Sequence, residues 1–349
     1  MNASNGPAEL FDFSETSLDG KSILVTGGTG SFGQAFVRNC LERFEPSRLI
    51  VFSRDELKQY EMAQRFGQSD YACIRYFIGD VRDVDRLEMA MRDIDIVVHA
   101  AALKHVTAAE YNPFECIVTN VHGAENLVKA ALRTDVEKVI ALSTDKAVSP
   151  INLYGASKLA ADKILIAANS LSGKSRTRFS VVRYGNVLGS RGSVVPLFQQ
   201  LASNGAKELP ITDERMTRFW ITLDQGVEFV LSSLALMRGG EIFIPKIPSM
   251  RITDLARSIA PDLPQRVVGI RPGEKLHELL ITSDDARTTV DVGDRYIIEP
   301  AFAFWTREPY EGVETTPVTN GFRYASDTNS EWLDGEQLVQ LLGQSRAGS

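Results

Sequence analysis

The sequence predicts an α/β protein with a doubly wound parallel sheet and a smaller C-terminal substrate-binding domain. Short apolar runs rich in β-branched residues alternate with helical patterns from residue 22 to about residue 183. This alternation is typical of a parallel sheet covered by helices on both faces. Past Tyr184 the regular alternation stops and glycine-punctuated loops begin, which indicates a second region.

The composition favours a protein that acts on small molecules. The chain has 349 residues, of which 44% are hydrophobic and 24% charged, with a net charge of −7. No block of Lys and Arg stands out, so nucleic acid and anionic membranes are not expected partners. No apolar run approaches the roughly 18 residues that span a bilayer.

Cysteine and histidine usage indicates a reducing compartment and no metal. Cys40, Cys73 and Cys116 are odd in number, widely spaced and outside any Cys-x-x-Cys pair, which suggests core thiols. The four histidines lack metal-ligand spacing. The first twenty-one residues show no signal-peptide pattern, so we expect the protein in the cytoplasm.

Pattern changes along the chain predict four parts. Residues 1–20 form an N-terminal arm that is loose or makes oligomer contacts, and residues 21–185 form a dinucleotide-binding domain. Residues 186–335 bind the substrate, with segments at about 222–245 returning to the first domain. Residues 336–349 form a flexible tail, because the end of the chain is rich in Gly and Ser.

The first strand, residues 22–26, runs into a glycine loop typical of a dinucleotide site. Gly27 permits a tight turn, Gly30 lets backbone approach a pyrophosphate, and Gly33 permits close helix packing. The following helix supplies N–H groups for phosphates. The Gly-x-x-Gly-x-x-Gly spacing is that of short-chain dehydrogenases with a Rossmann-like fold. The predicted cofactor contacts here are Thr26, Gly27, Thr29, Gly30, Ser31, Phe32 and Gly33.

The end of the second strand, residues 49–52, favours NADP(H). An acid about 20 residues past the glycines holds the ribose 2′-hydroxyl of NAD, whereas an arginine accommodates a 2′-phosphate. Here Ser53 lies at that distance and Arg54 follows. Asp55 keeps NAD as an alternative cofactor, since its carboxylate can hold a ribose hydroxyl. It can instead cap the helix 56–66. Lys58 completes the predicted contacts at this position.

Two further strands, at 73–78 and 94–99, end in candidate cofactor residues. Asp80, followed by Val81, can meet the adenine amino group or cap the helix 84–91. The small residues Ala100, Ala101 and Ala102 let a cofactor lie against backbone. Lys104 is placed for a phosphate or sugar oxygen, although a loop lysine is often simply solvated.

A helix is predicted from Pro113, and Asn120 lies on its apolar stripe. A buried amide needs hydrogen-bond partners. Asn120 can therefore orient the catalytic lysine or the loop backbone, or make a purely structural hydrogen bond.

The residues most suited to acid–base catalysis follow the strand 138–142. Thr144, Asp145 and Lys146 lie at its carboxyl end, the edge where open α/β sheets bind ligands. Tyr154 and Lys158 are four residues apart on one helical face. A fixed ammonium lowers the pKa of a phenol, so this pair suits proton removal from an alcohol.

The C-terminal half supplies candidate substrate contacts. The loop 184–196 lies on the carboxyl side of the sheet, after a strand at 178–183, where long loops line substrate clefts. The segments 216–220 and 271–278 place cations beside aromatics, which suits a nucleotide diphosphate or a surface ion-pair cluster.

Seven short motifs together resemble one family of enzymes. The chain contains TGGTGSFG, SRDE, AALKHV, STDKA, YGASK, RYGNVLGSRGSV and RPGEKLHE. It is similar over about residues 20–300 to the inverting UDP-N-acetylglucosamine 4,6-dehydratases, extended short-chain dehydrogenases that begin pseudaminic acid synthesis and carry NADP(H). Longer relatives have membrane anchors, and capsule-pathway relatives have methionine in place of Tyr154.

The resemblance implies roles for individual residues. Tyr154, helped by Lys158 and Thr144, would take the C4 hydroxyl proton. Lys146 would remove the C5 proton, which needs a neutral amine and a lowered pKa, and Asp145 would protonate the departing C6 hydroxyl. The implied substrate contacts are Lys104, Lys146, Asn186, Arg191, Val194, Met216, Arg271 and Glu274. Relatives self-associate, so we expect a homo-oligomer, a dimer or hexamer.

Other functions remain open at this point. A retaining dehydratase differs at the base, since glucose-type enzymes carry Asp-Glu where this chain has Asp145 and Lys146. A sugar-nucleotide 4-epimerase shares the loop, Tyr154 and Lys158 but has no use for the Asp-Lys pair. A non-catalytic NADP-sensing protein would typically have lost the tyrosine or the lysine.

Overall fold

The computed structural model describes residues 11–347 except 174, 191, 303, 306 and 311, with side chains described as far as residue 343. The strands, in chain order, are β1 Ser22–Thr26, β2 Arg48–Ser53, β3 Ile74–Ile78, β4 Ile96–His99, β5 Lys138–Thr144, β6 Arg178–Tyr184, β7 Asn186–Val187, β8 Leu209–Ile211, β9 Thr217–Ile221, β10 Ile242–Pro245, β11 Ser249–Arg251, β12 Gln265–Val267, β13 Leu279–Ile281, β14 Thr289–Asp291, β15 Arg295–Ile298, β16 Thr316–Pro317 and β17 Tyr324–Ala325.

The helices are α1 Ser31–Arg43, α2 Glu56–Arg65, α3 Val84–Ala90, α4 Val106–Tyr111, α5 Pro113–Ile117, α6 Gly123–Arg133, α7 Leu153–Leu171, α8 Val194–Ser203, α9 Leu223–Leu236, α10 Ile252–Ile259 and α11 Gly335–Ala347. A π-helical turn, Val118–His122, joins α5 to α6, and short 3-10 turns lie at Asp145–Ala147 and Asp285–Thr288. Among the described residues, none of these helices combines the length and apolar character that crossing a membrane requires.

A ten-stranded sheet runs through the described part of the chain in the order β16-β14-β15-β10-β6-β5-β4-β1-β2-β3. The strands from β10 to β3 are parallel, and β15, β14 and β16 extend the sheet in antiparallel fashion. The central strands are apolar and buried, as expected where helices cover both faces. The predicted fold class is confirmed.

The sheet and its helices share one hydrophobic core, and a second cluster lies in the C-terminal half. The second cluster includes Leu209, Trp220, Leu255 and Leu338, from β8, β9, α10 and α11. The chain returns to the large sheet through β10 and then through β14 to β16. The sequence patterns gave no sign of these last strands, because each is only two to four residues long.

Both ends of the described chain differ from the expectation of loose segments. Phe11 and Leu18 are fully buried in the main core, and the Phe11 ring lies 4.9 Å from that of Phe229. Residues 1–10 of the predicted arm lie outside the described residues. The predicted flexible tail forms α11, because Leu338 inserts into the second cluster and the neighbouring leucines pack against it.

Candidate active site

The loop between β1 and α1 has no room for side chains at its glycines. Gly27 has φ +65°, and a Cβ on it would lie 2.8 Å from the Ala101 backbone nitrogen. A Cβ on Gly33 would lie 2.5 Å from the Gly28 Cα. The loop therefore packs directly on the backbone that follows β4, and α1 packs directly on the loop.

The start of α1 fits an anionic group. Gly30 is the N-cap, no side chain caps the helix, and the first turn contains no acidic residue. Ser31 and Phe32 are the first residues of the helix. Uncapped N–H groups and the helix dipole both favour a phosphate, so the residues present fit the pyrophosphate of a dinucleotide.

Hydrogen bonds between strand ends fix the loop. The Thr26 hydroxyl bonds His99 Nδ1 at 2.8 Å and accepts from the Ala101 N–H at 3.3 Å. The hydroxyls of Thr29 and Ser53 lie 2.8 Å apart. Burial lowers the pKa of His99 to about 3, so this imidazole is neutral. Its role is structural, because it holds the Thr26 hydroxyl.

The end of β2 separates the roles of Arg54 and Asp55. Asp55 caps α2 by accepting from the Lys58 N–H at 3.0 Å, and its carboxylate pairs with the Lys58 ammonium at 2.8 Å. Arg54 is 54% exposed and approaches only to 3.8 Å from Asp80. Asp80 itself accepts two hydrogen bonds from the Arg82 guanidinium. Arg54 thus retains a guanidinium that an incoming phosphate can reach.

The loop after β4 is tied down by Asn120. The Asn120 amide accepts from the Leu103 N–H at 2.8 Å and donates to the Leu103 carbonyl at 3.0 Å. It also donates to the Ser157 hydroxyl at 2.9 Å. The π-helical turn aims this side chain, so Asn120 orients loop backbone rather than the lysine. Val81, by contrast, is buried in the main core.

Thr144, Asp145 and Lys146 form a compact turn at the carboxyl end of β5. The Thr144 hydroxyl donates to Asp145 Oδ1 at 2.9 Å, and Lys146 Nζ donates to the same oxygen at 3.0 Å. Asp145 is 0% exposed, and its Oδ2 has no hydrogen-bond partner among the described residues. One carboxylate oxygen therefore lies unpartnered beside a lysine that is 28% exposed.

The start of α7 packs directly against this turn. Asn152 caps the helix by accepting from the Gly155 N–H at 2.7 Å. A Cβ on Gly155 would lie 2.1 Å from the Lys146 carbonyl oxygen, so only glycine permits this approach. Tyr154 and Lys158 are both buried on α7. The structure thus places Tyr154 next to Thr144, Asp145 and Lys146, with Lys158 one turn further along α7.

The protonation states differ from those that the sequence suggested. Burial raises the pKa of Tyr154 to about 12, although Lys146 and a hydrogen bond with Thr144 act in the opposite direction. A phenolate-favouring environment is therefore not found for Tyr154. Burial lowers the pKa of Lys158, partly offset by Asp162.

The expectation of a lowered pKa for Lys146 is wrong for this state of the protein. Burial opposes the charge on Lys146, but the carboxylates of Asp145 and Glu278 outweigh burial and raise its pKa. The expectation rested on desolvation of the lysine or on nearby cations. Two carboxylates lie closest instead, at 3.0 and 3.6 Å, so Lys146 rests as an ammonium.

The segment 271–278 docks onto the catalytic turn. Lys275 Nζ donates to the Val148 carbonyl at 2.5 Å, and Asn152 donates to the Gly273 carbonyl at 2.8 Å. This contact brings Glu278 to Lys146. The sequence patterns do not identify Glu278 as a site residue. Its position at the end of RPGEKLHE, directly before the apolar β13, is the one sequence feature that indicates a role at the site.

The other predicted substrate residues differ in their burial and in their neighbours. Asn186 and Val194 are half-buried, and Arg271 and Glu274 lie 3.8 Å apart near the same turn. Lys104 is exposed to solvent, and partial burial of its ammonium lowers its pKa. Met216 is only 3% exposed and packs in the second cluster, so its side chain does not line an open surface. Arg191 lies outside the described residues.

The arrangement can move protons at several neighbouring positions. A buried phenol, an acid and a lysine converge at the carboxyl edge of the sheet, beside a loop that fits a dinucleotide. No group of three or more His, Cys, Asp or Glu side chains that could hold a metal ion occurs in the described part of the chain. The geometry suits acid–base chemistry on a substrate with hydroxyl groups.

Comparison with known sequences identifies relatives that share most of the chain. The polysaccharide biosynthesis protein family matches residues 23–300. A UDP-N-acetylglucosamine 4,6-dehydratase (inverting) from Campylobacter jejuni is 55% identical over 330 residues, 93% of this chain and 98% of the relative. A UDP-glucose 4-epimerase from Rickettsia canadensis is 43% identical over 289 residues, 80% of this chain and 82% of the relative.

Solved structures show the same architecture. Pen from Bacillus thuringiensis superposes with a TM-score of 0.85 and 36% identity, covering 94% of this chain and 99% of that chain. DesIV, a dTDP-glucose 4,6-dehydratase from Streptomyces venezuelae solved with NAD bound, gives a TM-score of 0.66 and 25% identity, covering 81% and 93%.

Proposed function

Because this chain belongs to the polysaccharide biosynthesis protein family and is an enzyme of the extended short-chain dehydrogenase type, we propose that it is a C5-inverting UDP-N-acetylglucosamine 4,6-dehydratase. The product is UDP-2-acetamido-2,6-dideoxy-β-L-arabino-hex-4-ulose. The observation that carries the proposal is the Lys146–Asp145 pair, 3.0 Å from Nζ to Oδ1, at the carboxyl end of β5 beside Tyr154. Elimination of water needs an acid and a base together.

One proton transfer within this pair prepares both groups. Moving a proton from Lys146 Nζ to Asp145 gives a neutral amine and a neutral acid at the same time. The amine takes the C5 proton, the C5–H electron pair forms the C5=C6 double bond, and the C6 hydroxyl leaves as water with the proton from Asp145. The ammonium and carboxylate of the resting pair are thereby restored.

Tyr154 acts at C4. Its phenolate oxygen accepts the C4 hydroxyl proton, and Lys146 and Thr144 favour this phenolate. Lys158, buried one turn further along α7, supports the same side chain. Since the pKa of Tyr154 is about 12 without ligands, bound cationic groups must lower it for this step.

The cofactor is a nicotinamide dinucleotide, and we propose NADP(H). When bound, the nicotinamide would supply hydride transfer from C4 and back to C6, and C5 would take a proton from the Lys146 ammonium or from water as the hydride returns, so no net oxidation occurs. The backbone of the 27–33 loop and the start of α1 would hold the pyrophosphate. Arg54 would hold the 2′-phosphate, supported by its exposure and by the use of Asp55 as a helix cap.

The proposed dehydratase activity also suggests where and in which pathway the enzyme acts. We propose that the enzyme acts in the cytoplasm as a homo-oligomer and catalyses the first step of pseudaminic acid biosynthesis, which supplies flagellin glycosylation. The C5-inverting specificity is supported by the 55% identical relative, whose name carries it.

A 4-epimerase is the second candidate, favoured by the 43% identity to the Rickettsia canadensis UDP-glucose 4-epimerase. An epimerase shares the use of Tyr154 and Lys158. It has no step at C5 or C6, and the Lys146–Asp145 pair would then have no chemical role.

Mass spectrometry of the product separates the two candidates. We expect the purified enzyme with NADP to convert UDP-N-acetylglucosamine into a product lighter by one water. An epimerase would leave the mass unchanged. Lys146→Ala should bind cofactor and substrate nearly normally yet form no dehydrated product, while Lys129→Ala, at an exposed site of α6, should behave as the unaltered enzyme. Undiminished water loss in Lys146→Ala would remove Lys146 from the mechanism.

A further inference from the structure

A second carboxylate lies at the catalytic turn and has no role in the reaction described above. Glu278 is 2% exposed, and its Oε1 lies 3.6 Å from Lys146 Nζ and 3.6 Å from Arg218 Nε. Its Oε2 lies 3.9 Å from Lys275 Nζ and has no hydrogen-bond partner among the described residues. Burying a carboxylate that is not fully hydrogen-bonded costs free energy of folding, so a role that offsets this cost is expected.

The backbone of Glu278 is held rigidly. The Glu278 N–H donates to the Ser326 hydroxyl at 2.9 Å, and the Ser326 N–H donates to the Glu278 carbonyl at 2.8 Å. Thr217 holds the same Ser326 hydroxyl at 2.7 Å. The backbone that carries the carboxylate is therefore fixed to Thr217 of β9 and to Ser326, the residue after β17.

Among the described residues, the charged or titratable groups next to Lys146 come from four parts of the chain. Asp145 adjoins it in the turn, Glu278 and Lys275 come from the segment before β13, Arg218 comes from β9, and Tyr154 comes from α7. Of these, Asp145 and Glu278 stabilise the ammonium. Asp145 loses its negative charge when it takes the proton from Lys146, so Glu278 is then the only carboxylate of this set that is still charged.

We propose that Glu278 is a positioning residue for Lys146, holding its Nζ in place and keeping the resting lysine charged until substrate is bound. The inference deepens the proposed function, on which its catalytic meaning rests. Burial and the Asp145 carboxylate raise the pKa of Glu278, while Lys146, Arg218 and Lys275 oppose that rise. The pKa of Glu278 is raised overall, and the three cations within 3.9 Å are the groups that favour its charged form.

Competitive labelling of lysines tests the placement without any need for activity. The folded protein is treated with a small amount of acetic anhydride at a fixed alkaline pH, and labelling of Lys146 relative to exposed Lys129 is measured by peptide mass spectrometry. Replacing Glu278 by Gln removes a negative charge within reach of Nζ. We expect the Lys146 to Lys129 ratio to rise about tenfold or more, since such a charge shifts a pKa by roughly 1–3 units.

Conservative and control variants make the outcome specific. Glu278→Asp retains the charge but withdraws it by one methylene, so the ratio should rise less than in Glu278→Gln. If Glu278→Gln does not fold, the test uses Glu278→Asp, whose labelling ratio should still exceed that of the unaltered protein. Asp284→Asn, which removes an exposed carboxylate, should leave the ratio unchanged. Identical ratios in the unaltered protein and in every folded Glu278 variant would overturn the proposal.

Kinetics then separate this inference from the proposed function. The rising limb of the rate against pH should move to lower pH in Glu278→Gln, with kcat reduced and KM nearly unchanged, whereas a purely structural role would lower the rate equally at all pH values. If the labelling ratio shifts but the unaltered enzyme forms no dehydrated product, Glu278 positions Lys146 and the dehydratase proposal fails.

Discussion

The electrostatic setting of Lys146 is the residue-scale feature that most affects the mechanism. The sequence places a lysine after an acid at a strand end, and that position is correct. It does not show that Glu278, more than 130 positions later in the chain, comes within 3.6 Å of Nζ. The adjacent Asp145 is the largest cause that raises the Lys146 pKa, and Glu278 adds a long-range contribution that neighbouring residues do not reveal.

Arg54→Ala tests the choice of cofactor at this scale. Because Arg54 is exposed at the end of β2 and Asp55 is occupied as the α2 cap, removing the guanidinium should weaken NADP(H) binding by about tenfold or more and hardly change NAD(H) binding. Fluorescence titration with both dinucleotides measures this. Arg65→Ala, in the last turn of α2, is the matched control.

Equal weakening of both dinucleotides in Arg54→Ala, or tighter binding of NAD by the unaltered enzyme, would show that Arg54 does not contact a 2′-phosphate. The second result would return Asp55 to the role of a ribose ligand.

At the scale of elements, the site depends on the close approach of α7 to the Asp145–Ala147 turn. Asn152 links the cap of α7 to the Gly273 carbonyl, so three segments meet within a few ångströms. The strand, the turn and the helix could each be predicted from apolar periodicity and local motifs. Their contact with the segment 271–278 could not, because that segment shows no periodic pattern.

Gly155→Ala should disturb this contact. A Cβ would lie 2.1 Å from the Lys146 carbonyl oxygen, so we expect the free energy of unfolding to fall by about 1–3 kcal/mol, as in overpacked sites. We also expect a large loss of activity, because the turn that carries Lys146 must move. Urea unfolding and product formation measure the two effects.

Gly226→Ala is the matched control for Gly155→Ala. Gly226 also lies in a helix and is buried, but a Cβ there would come no closer than 4.0 Å to the Tyr184 ring. Alanine should leave stability unchanged or raise it by roughly 0.5–1 kcal/mol. Equal effects of the two substitutions would show that the approach of α7 to Lys146 is not sterically limited by glycine.

Element boundaries show where sequence patterns are informative. The strands β1 to β6 match runs of apolar residues to within two positions at each end. The helix predicted from Pro113 is interrupted by the π-helical turn Val118–His122, which aims Asn120 at Leu103. The sequence shows an asparagine on an apolar stripe but not the backbone change that gives it partners. The α11 helix was missed because its composition resembles a mobile tail.

On the scale of the whole molecule, buried tyrosines make stability sensitive to alkaline pH. Burial raises the pKa of Tyr154 to about 12 and also raises the pKa values of Tyr184 and Tyr324. A group with a raised folded pKa contributes stability that is complete below its unfolded pKa, about 10 for tyrosine. That contribution is lost as the pH rises towards the folded pKa.

The free energy of unfolding should therefore fall by about 1.4 kcal/mol per pH unit for each of these phenols above pH about 10. Urea unfolding at several pH values measures the slope. Replacing Tyr324 by Phe should make the slope less steep. A flat profile between pH about 9 and 11 would contradict the burial of these phenols in the native state.

The ten-stranded sheet sets the site at its carboxyl edge, where the cofactor loop follows β1 and the Asp145–Lys146 turn follows β5, two parallel strands separated by β4. Sequence alternation was sufficient to predict this half. The C-terminal half is built from strands of two to five residues and from contacts between distant segments, and neither leaves a periodic signal. Glu278 belongs to this half.

The stereochemistry at C5 tests the central claim most directly. The enzyme is incubated with NADP and UDP-N-acetylglucosamine in deuterated water, and the first-formed product is followed by proton NMR. We expect a product that has lost water, carries one deuteron at C5 and shows ring couplings of the L-arabino 4-keto sugar. A D-xylo product throughout the early time course would contradict inversion, and an unchanged mass would contradict the dehydratase itself.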